Sequence, residues 1–189
     1  MTSPCSRRDG SPRLSSFPTA PRSIRCSPRA APRLRSALGT RGAPGSPRAC
    51  SSAGFSCRGD AILLAREGVS AVVDVTHELW APRRALAAAK IAYHRVPCWD
   101  LGAPSIDDAD RAVAFIAGAI RRGGRVHVHC GSGVGRSVII ALCYLALHEA
   151  VTVDDALADI RKKHPRVYMR GEQRAFVDRY LAWRRDPSA

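Results

Sequence analysis

From Asp60 onward, the apolar positions alternate between short β-branched runs and longer stretches with helical spacing. Asp60 stands where it can cap a short helix over 61–67, which Gly68 ends. The run Ala71-Val72-Val73-Asp74-Val75 has the composition of a buried strand. An alanine-rich stretch predicts a helix over 85–90, and 91–96 reads as a second strand stopped by Pro97. Residues 99–104 read as a loop. Ser105 with Asp108 has the form of a capping box and opens a helix to about Arg122. That helix carries acids early and Arg121-Arg122 late, as the helix dipole favours, and Gly123-Gly124 ends it. Residues 125–129 predict a third strand, running straight into a glycine-rich stretch and then a strongly apolar helix to about Glu149. Thr152 with Asp155 repeats the capping box for a helix ending near His164-Pro165, and a last helix runs over 171–185. Strands alternating with helices predict an α/β domain with a central, largely parallel sheet flanked by helices.

The preceding segment has a different character. Residues 1–59 hold eleven arginines, no lysine and one acid, Asp9, so they carry +10 of the chain's formal +14. They also hold eight of the thirteen prolines and a dozen serines, and Ser-Pro-Arg recurs at 11–13, 27–29 and 46–48. So few large apolar residues cannot offset the entropy of ordering the backbone, and proline blocks both helix and sheet. The expected organisation is therefore a disordered Arg/Ser/Pro-rich tail over 1–55 and a folded domain over 56–189. An acid-poor, Arg- and Ser-rich leader also describes an organelle transit peptide, although prolines interrupt the amphipathic helix such a peptide forms. A passive tail and an anion-binding arm remain alternatives.

The remaining 130 residues hold 19 basic and 15 acidic side chains, a charge of +4, so the domain proper is only mildly basic. Nucleic acid is disfavoured as a partner: Phe17 and Phe55 are the only aromatic residues interleaved with the tail arginines. The longest apolar block, 138–147, is half the ~20 residues a spanning helix needs, so no transmembrane segment is expected. The cysteines number seven, without a Cys-x-x-Cys pair. That is not a disulfide framework, and it favours a reducing compartment. The histidines lack metal-ligand spacing, and no metal or cofactor is expected. His77, His94, His127, His148 and His164 read as structural or surface residues.

The candidate chemistry lies in His129-Cys130-Gly131-Ser132-Gly133-Val134-Gly135-Arg136-Ser137. A cysteine at the carboxyl end of a strand stands where open α/β sheets place their ligands. The glycines let the loop curl until successive backbone N–H groups point inward as an anion nest. The helix that follows adds its own unpaired N–H groups and the positive end of its dipole. Cys130 in such a bowl is a stabilised thiolate and a nucleophile near neutral pH. Arg136 supplies a planar fork for two phosphate oxygens. The Gly-Lys-Ser/Thr ending of a Walker P-loop is missing.

These residues resemble the signature His-Cys-x5-Arg-Ser/Thr of the cysteine-dependent protein-tyrosine phosphatase superfamily, and within it the small atypical dual-specificity phosphatases, a group that includes phospholipid phosphatases. The likeness covers about residues 60–185, and the stretches 72–79 and 160–167 resemble structural segments of the family. It implies phosphomonoester hydrolysis through a phosphocysteine intermediate. The substrate is expected to be a phosphorylated protein, with a phospholipid such as phosphatidylglycerophosphate as the alternative and a catalytically silent phospho-binding module as another. It further implies an aspartic acid about thirty residues before the cysteine, and Asp100 in "VPCWDLGAPS" fits; Asp107 and Asp108 compete, but helix capping accounts for them. Ser137 is expected to ease departure of the thiolate, and His129 to support the loop from behind. Relatives acting on highly phosphorylated inositol lipids tend to carry lysines inside the loop; here its interior is uncharged. Arg161, Lys162, Lys163, Arg166 and Arg170 form a basic cluster read as a solvated face, with an anionic partner as the alternative. In some relatives a second cysteine forms a disulfide with the oxidised nucleophile, and Cys98 and Cys143 are the candidates. The expected location is cytoplasmic, or a mitochondrion or plastid if the leader is a transit peptide.

Overall fold

The computed structural model describes residues 34–36 and 58–186. In chain order the elements are β1 (Leu34–Ser36), α1 (Arg58–Arg66), β2 (Val69–Asp74), α2 (Arg83–Ala88), β3 (Ala92–Arg95), α3 (Ile106–Arg121), β4 (Arg125–His129), α4 (Arg136–His148), α5 (Val153–Lys163) and α6 (Gly171–Arg185). The described strands form one parallel sheet in the order β1-β4-β2-β3, flanked by helices. Three of these strands and all six helices fall where the sequence predicts them, with ends shifted by two or three residues in α1, which begins at Arg58 and not at 61, in β2 and in α2. Strand β2 begins at Val69, two residues early, because Gly68 takes a left-handed turn (φ 74°) that delivers Val69 directly opposite Arg125 of β4. Helix α2 begins at Arg83, just after Pro82 with its restricted φ, and closes before Lys90, whose φ of 57° stops the helix.

Strand β1 was not expected. It pairs with β4, Leu34 opposite Val126 and Ser36 opposite Val128, so a short extended segment covers the edge that β4 would otherwise present. The tail expected over 1–55 otherwise lies outside the described residues.

Alternation along the strands gives the sheet two apolar faces. Val73, Val126 and Val128 join the main core with α3, α4, α5 and α6; Val72 points the other way, into a smaller cluster with Ala61, Leu64, Leu86 and Ile91. Helix α4 is the centre of the main layer: every residue from Arg136 to Tyr144 is buried. At about 25 cal/mol per Å² of apolar surface, each fully buried side chain such as Ile139 or Leu142 contributes roughly 2 kcal/mol. The anchored strand β4 and helix α4 meet at residues 130–135, so the loop between them is held at both ends by the best-packed parts of the molecule.

Helix α3 starts as predicted. Ser105 Oγ accepts the Asp108 N–H at 3.1 Å and also lies 2.6 Å from the Asp108 carboxylate, which Arg111 holds on its other side. Asp108 is thereby spent on the helix start, away from the loop at 130–135. Thr152 and Asp155 repeat the arrangement at α5.

Candidate active site

Cys130 follows the last residue of β4 and is 4% exposed. Its Sγ accepts the N–H of Gly133 at 3.3 Å and lies 3.5 Å from Ser137 Oγ in the first turn of α4. Two glycines make that curl feasible. Gly133 has φ 71°, a conformation a side chain disfavours. At Gly131 a Cβ would stand 3.0 Å from Arg136 Nη2, tight enough that the guanidinium would have to give way.

Arg136 is 4% exposed and its fork is fully engaged. Nη1 donates to Glu78 Oε2 at 2.8 Å and to the carbonyl of Cys98 at 3.1 Å. Nη2 lies 2.8 Å from Glu78 Oε1 and 3.1 Å from Asp100 Oδ1. Burial, the largest single influence, opposes the arginine's charge, but the hydrogen bond to Glu78 together with the nearby Cys130, Glu78 and Asp100 outweighs it, so its pKa is raised. The same bond holds the Glu78 carboxyl down at about 2.

The expected residues Cys130, Arg136 and Asp100 thus line one pocket with Ser132, Val134 and Gln173, and Ser137 lies buried beside Cys130. Asp100 enters from the loop between β3 and α3, with its side chain 70% exposed. The left-handed residue Leu101 (φ 62°) follows it, and the N–H of Gly102 closes a turn onto the Trp99 carbonyl at 3.1 Å. His129 lies outside the pocket, buried behind the loop, with Nε2 3.9 Å from Asp74 Oδ1. Burial lowers its pKa, against the pull of Asp74 and of a hydrogen bond with the Cys130 backbone. Asp74 is itself fixed by Thr76 Oγ1 at 2.7 Å and by Tyr93 OH at 2.8 Å.

Two residues here escaped the sequence reading. Glu78, the partner of Arg136, lies 58 positions before it, inside the stretch 72–79 that the sequence marked only as a structural segment. Gln173 looks like an ordinary helix residue but is buried: its Nε2 donates to the carbonyl of Gly102 at 3.1 Å and of Leu101 at 3.5 Å, and its Oε1 accepts the Arg170 N–H at 3.2 Å. A signal did exist, since Gln173 stands at the third position of α6, where a capping side chain folds back.

Of the other cysteines, Cys143 is fully buried in α4, and burial pushes its thiol well up; burial pushes Cys98 up to about 11. Cys98, Cys130 and Cys143 are free thiols. His94 and His148 stack on Phe115 and Tyr144. Of the basic cluster, Lys162 pairs with Asp159 and Arg170 lines the pocket. Among the described residues no cluster could hold a metal ion, and no helix is long and apolar enough to cross a membrane.

Comparison with known proteins agrees with this geometry. The family model "Dual specificity phosphatase, catalytic domain" matches residues 56–180. The chain is 35% identical over 126 residues to phosphatidylglycerophosphate phosphatase PTPMT2 of Arabidopsis thaliana, covering 65% of this chain and 55% of that protein. It is 31% identical over 125 residues to dual specificity protein phosphatase 26 of Bos taurus, covering 62% of this chain and 58% of that one. The chain thus spans little more than half the length of these relatives. Among solved structures, human DUSP28 is similar in fold, with a TM-score of 0.61 at 22% identity, covering 85% of this chain and 99% of that one. PTPMT1 in complex with PI(5)P gives a TM-score of 0.61 at 21% identity, covering 67% and 85%. With a cysteine under the Gly133 N–H, an arginine fork beside it and a catalytic-domain match across most of the folded residues, the chain belongs to the dual specificity phosphatases, within the cysteine-dependent protein-tyrosine phosphatase superfamily.

Proposed function

We propose that the chain hydrolyses a phosphomonoester through a cysteinyl-phosphate, and that its substrate is a phospholipid with a singly phosphorylated headgroup. The observation that carries the reaction is the approach of four groups to one point: Cys130 Sγ under the Gly133 N–H, Ser137 Oγ beside it, and Arg136 linked to Asp100. The phosphate lies over the loop amides, with two of its oxygens on the Arg136 guanidinium in place of the Asp100 carboxylate. The Cys130 thiolate attacks phosphorus in line, forming the S–P bond as the ester P–O bond breaks, and Asp100 protonates the departing oxygen. Water then attacks the cysteinyl-phosphate and gives its proton to Asp100. The S–P bond breaks, inorganic phosphate leaves, and the Ser137 hydroxyl donates to the returning thiolate. Arg136 and the loop amides bear the charge that spreads over the equatorial oxygens.

Two observations favour a lipid. The likeness to PTPMT2, named as a phosphatidylglycerophosphate phosphatase, runs over 126 residues at 35% identity. The loop interior, Gly131-Ser132-Gly133-Val134-Gly135, carries no charge, which suits one phosphate and not several. The second reading, a phosphoprotein substrate, draws on the comparable likeness to dual specificity protein phosphatase 26. A silent binding module would not need the Asp100 and Ser137 groups this chain retains.

The full chain should be assayed on phosphatidylglycerophosphate in mixed micelles, on phosphotyrosine and phosphothreonine peptides, and on a soluble aryl phosphate. A kcat/KM at least about tenfold higher on the lipid supports this reading, and the reverse order assigns the chain to phosphoproteins. Cys130→Ser should abolish turnover on all of them while still binding inorganic phosphate; turnover by that variant would remove the cysteinyl-phosphate.

A further inference from the structure

The mouth of the pocket carries an unusual concentration of apolar surface. Seven large apolar side chains are exposed among the described residues, and four of them belong to this one face: Trp80, Trp99, Leu101 and Tyr168. Leu101 and Tyr168 line the pocket itself. Trp99 precedes Asp100 and lies against His77 in a tilted contact with ring centroids 3.7 Å apart. Trp80 adjoins through Arg95, whose guanidinium lies 5.8 Å from the Trp80 ring and donates to the carbonyls of Thr76, His77 and Leu79. Trp80 is 83% exposed and Trp99 67%, far beyond what a large ring leaves in water without a partner.

Charge decides which partner fits. Glu78 and Asp100, beside the pocket, both pair with Arg136. Arg95 and Arg170 stand among the aromatic residues: Arg95 donates to backbone carbonyls, and Arg170 lines the pocket. Outward, then, the rim offers indole rings and the exposed Arg170 guanidinium, with Arg95 beneath Trp80, the pairing found where proteins seat at an anionic bilayer surface. Trp99 and Leu101 flank Asp100, so seating those two side chains among headgroups brings the acid and Cys130 to the depth of a lipid phosphate. A lipid substrate keeps its acyl chains in the membrane, and the enzyme must come to it.

We propose that Trp80, Trp99, Leu101 and Tyr168, with Arg95 and Arg170, form a docking surface for an anionic phospholipid bilayer, which holds the pocket mouth at the headgroup layer. This rests on the phospholipid reading above and adds how the substrate is reached.

The test uses the full-length Cys130→Ser chain and vesicles of phosphatidylcholine with about one-third phosphatidylglycerol, at low and physiological salt. Vesicles should sediment the protein, and brominated lipid should quench its tryptophan fluorescence. Residues 1–57 contain no tryptophan, so binding through them alone leaves the fluorescence unquenched. Adding Trp80→Ser should weaken vesicle binding about fivefold or more and reduce quenching. In the Cys130 chain, Trp80→Ser should leave kcat/KM on a soluble aryl phosphate unchanged, which also shows that it folds. Absence of binding, binding without quenching, or equal binding by the Trp80 variant would each overturn the docking surface. So would a phosphopeptide KM that depends on Trp80 while vesicle binding does not. The two readings fail separately. Hydrolysis of dispersed short-chain lipid without vesicle binding refutes docking alone. Trp80-dependent binding with no lipid hydrolysis refutes the lipid substrate alone.

Discussion

Glu78 holds both terminal nitrogens of Arg136, each at 2.8 Å, and so fixes the plane in which the guanidinium meets phosphate. A fork that is already oriented loses less entropy on binding than a free arginine. Glu78→Gln keeps one neutral hydrogen bond, and Glu78→Ala keeps none. Losing about 1.4 kcal/mol of orientation is tenfold in rate, so kcat/KM should fall about threefold in Gln and tenfold or more in Ala. An alanine variant as active as the wild type would show that the carboxylate does not position the arginine. The pair also sets an acid limb of stability. Its carboxyl is held at about 2, below the ordinary 4.5, so its stabilisation is complete above pH 4.5 and drains as pH falls towards 2. At 39% exposure, solvent screening limits it to about 1 kcal/mol. The stability gap between wild type and Glu78→Gln should therefore be flat above pH 4.5 and close below it, as denaturant midpoints across pH can measure.

Asp100 shares Arg136 with Glu78, at 3.1 Å, so an arriving phosphate competes with a carboxylate already on the fork. Removing that carboxylate removes both the competitor and a like charge. Asp100→Ala should bind inorganic phosphate or vanadate several-fold more tightly while catalysing more slowly. Its kcat should fall by about 10² to 10⁴ on alkyl phosphates, whose leaving oxygen needs a proton, and far less on activated aryl phosphates. Equal losses on the two classes would take the general-acid role from Asp100.

Ser137 Oγ lies 3.5 Å from Cys130 Sγ on the helix side, where it can donate to a departing thiolate but does not face the entering phosphate. Its effect belongs to the second step. In Ser137→Ala the burst of the first turnover should survive, followed by a steady state slowed about 10- to 100-fold and an accumulated cysteinyl-phosphate that acid quenching can trap. A variant that loses its burst would instead place Ser137 in the attack.

The parts of this site that could be read in the sequence are those whose chemistry is local. Cys130, the loop glycines, Arg136 and Ser137 are contiguous, and strand β4 and helix α4 around them announce themselves by composition. Asp100 was singled out only through the family resemblance, which implies an acid about thirty residues before the cysteine, in a loop like the one flanked by Pro97 and Pro104. Glu78 was not, since pairing across 58 residues leaves no periodic trace. Strand β1 was hidden for a different reason. Leu34-Arg35-Ser36 has little strand character of its own, and its conformation is set by the edge of β4.

Gln173 ties three pieces together. Its amide nitrogen donates to the Gly102 and Leu101 carbonyls of the acid loop, its oxygen accepts the Arg170 N–H, and a Cβ at Gly135 would touch it at 3.2 Å. Being 3% exposed, it leaves buried polar groups unmatched when removed, so Gln173→Ala should cost about 1–3 kcal/mol of stability. A purely structural role would stop there. If Gln173 also positions Asp100, the alanine variant should show the same split as loss of the acid, a larger fall in kcat on alkyl than on aryl phosphates. Gln173→Glu sharpens the distinction: its carboxylate can still accept the Arg170 N–H but cannot donate to the two carbonyls. It should regain part of the melting temperature and none of the alkyl-phosphate activity. Recovery of both together would mean that Gln173 serves only to hold α6 in place.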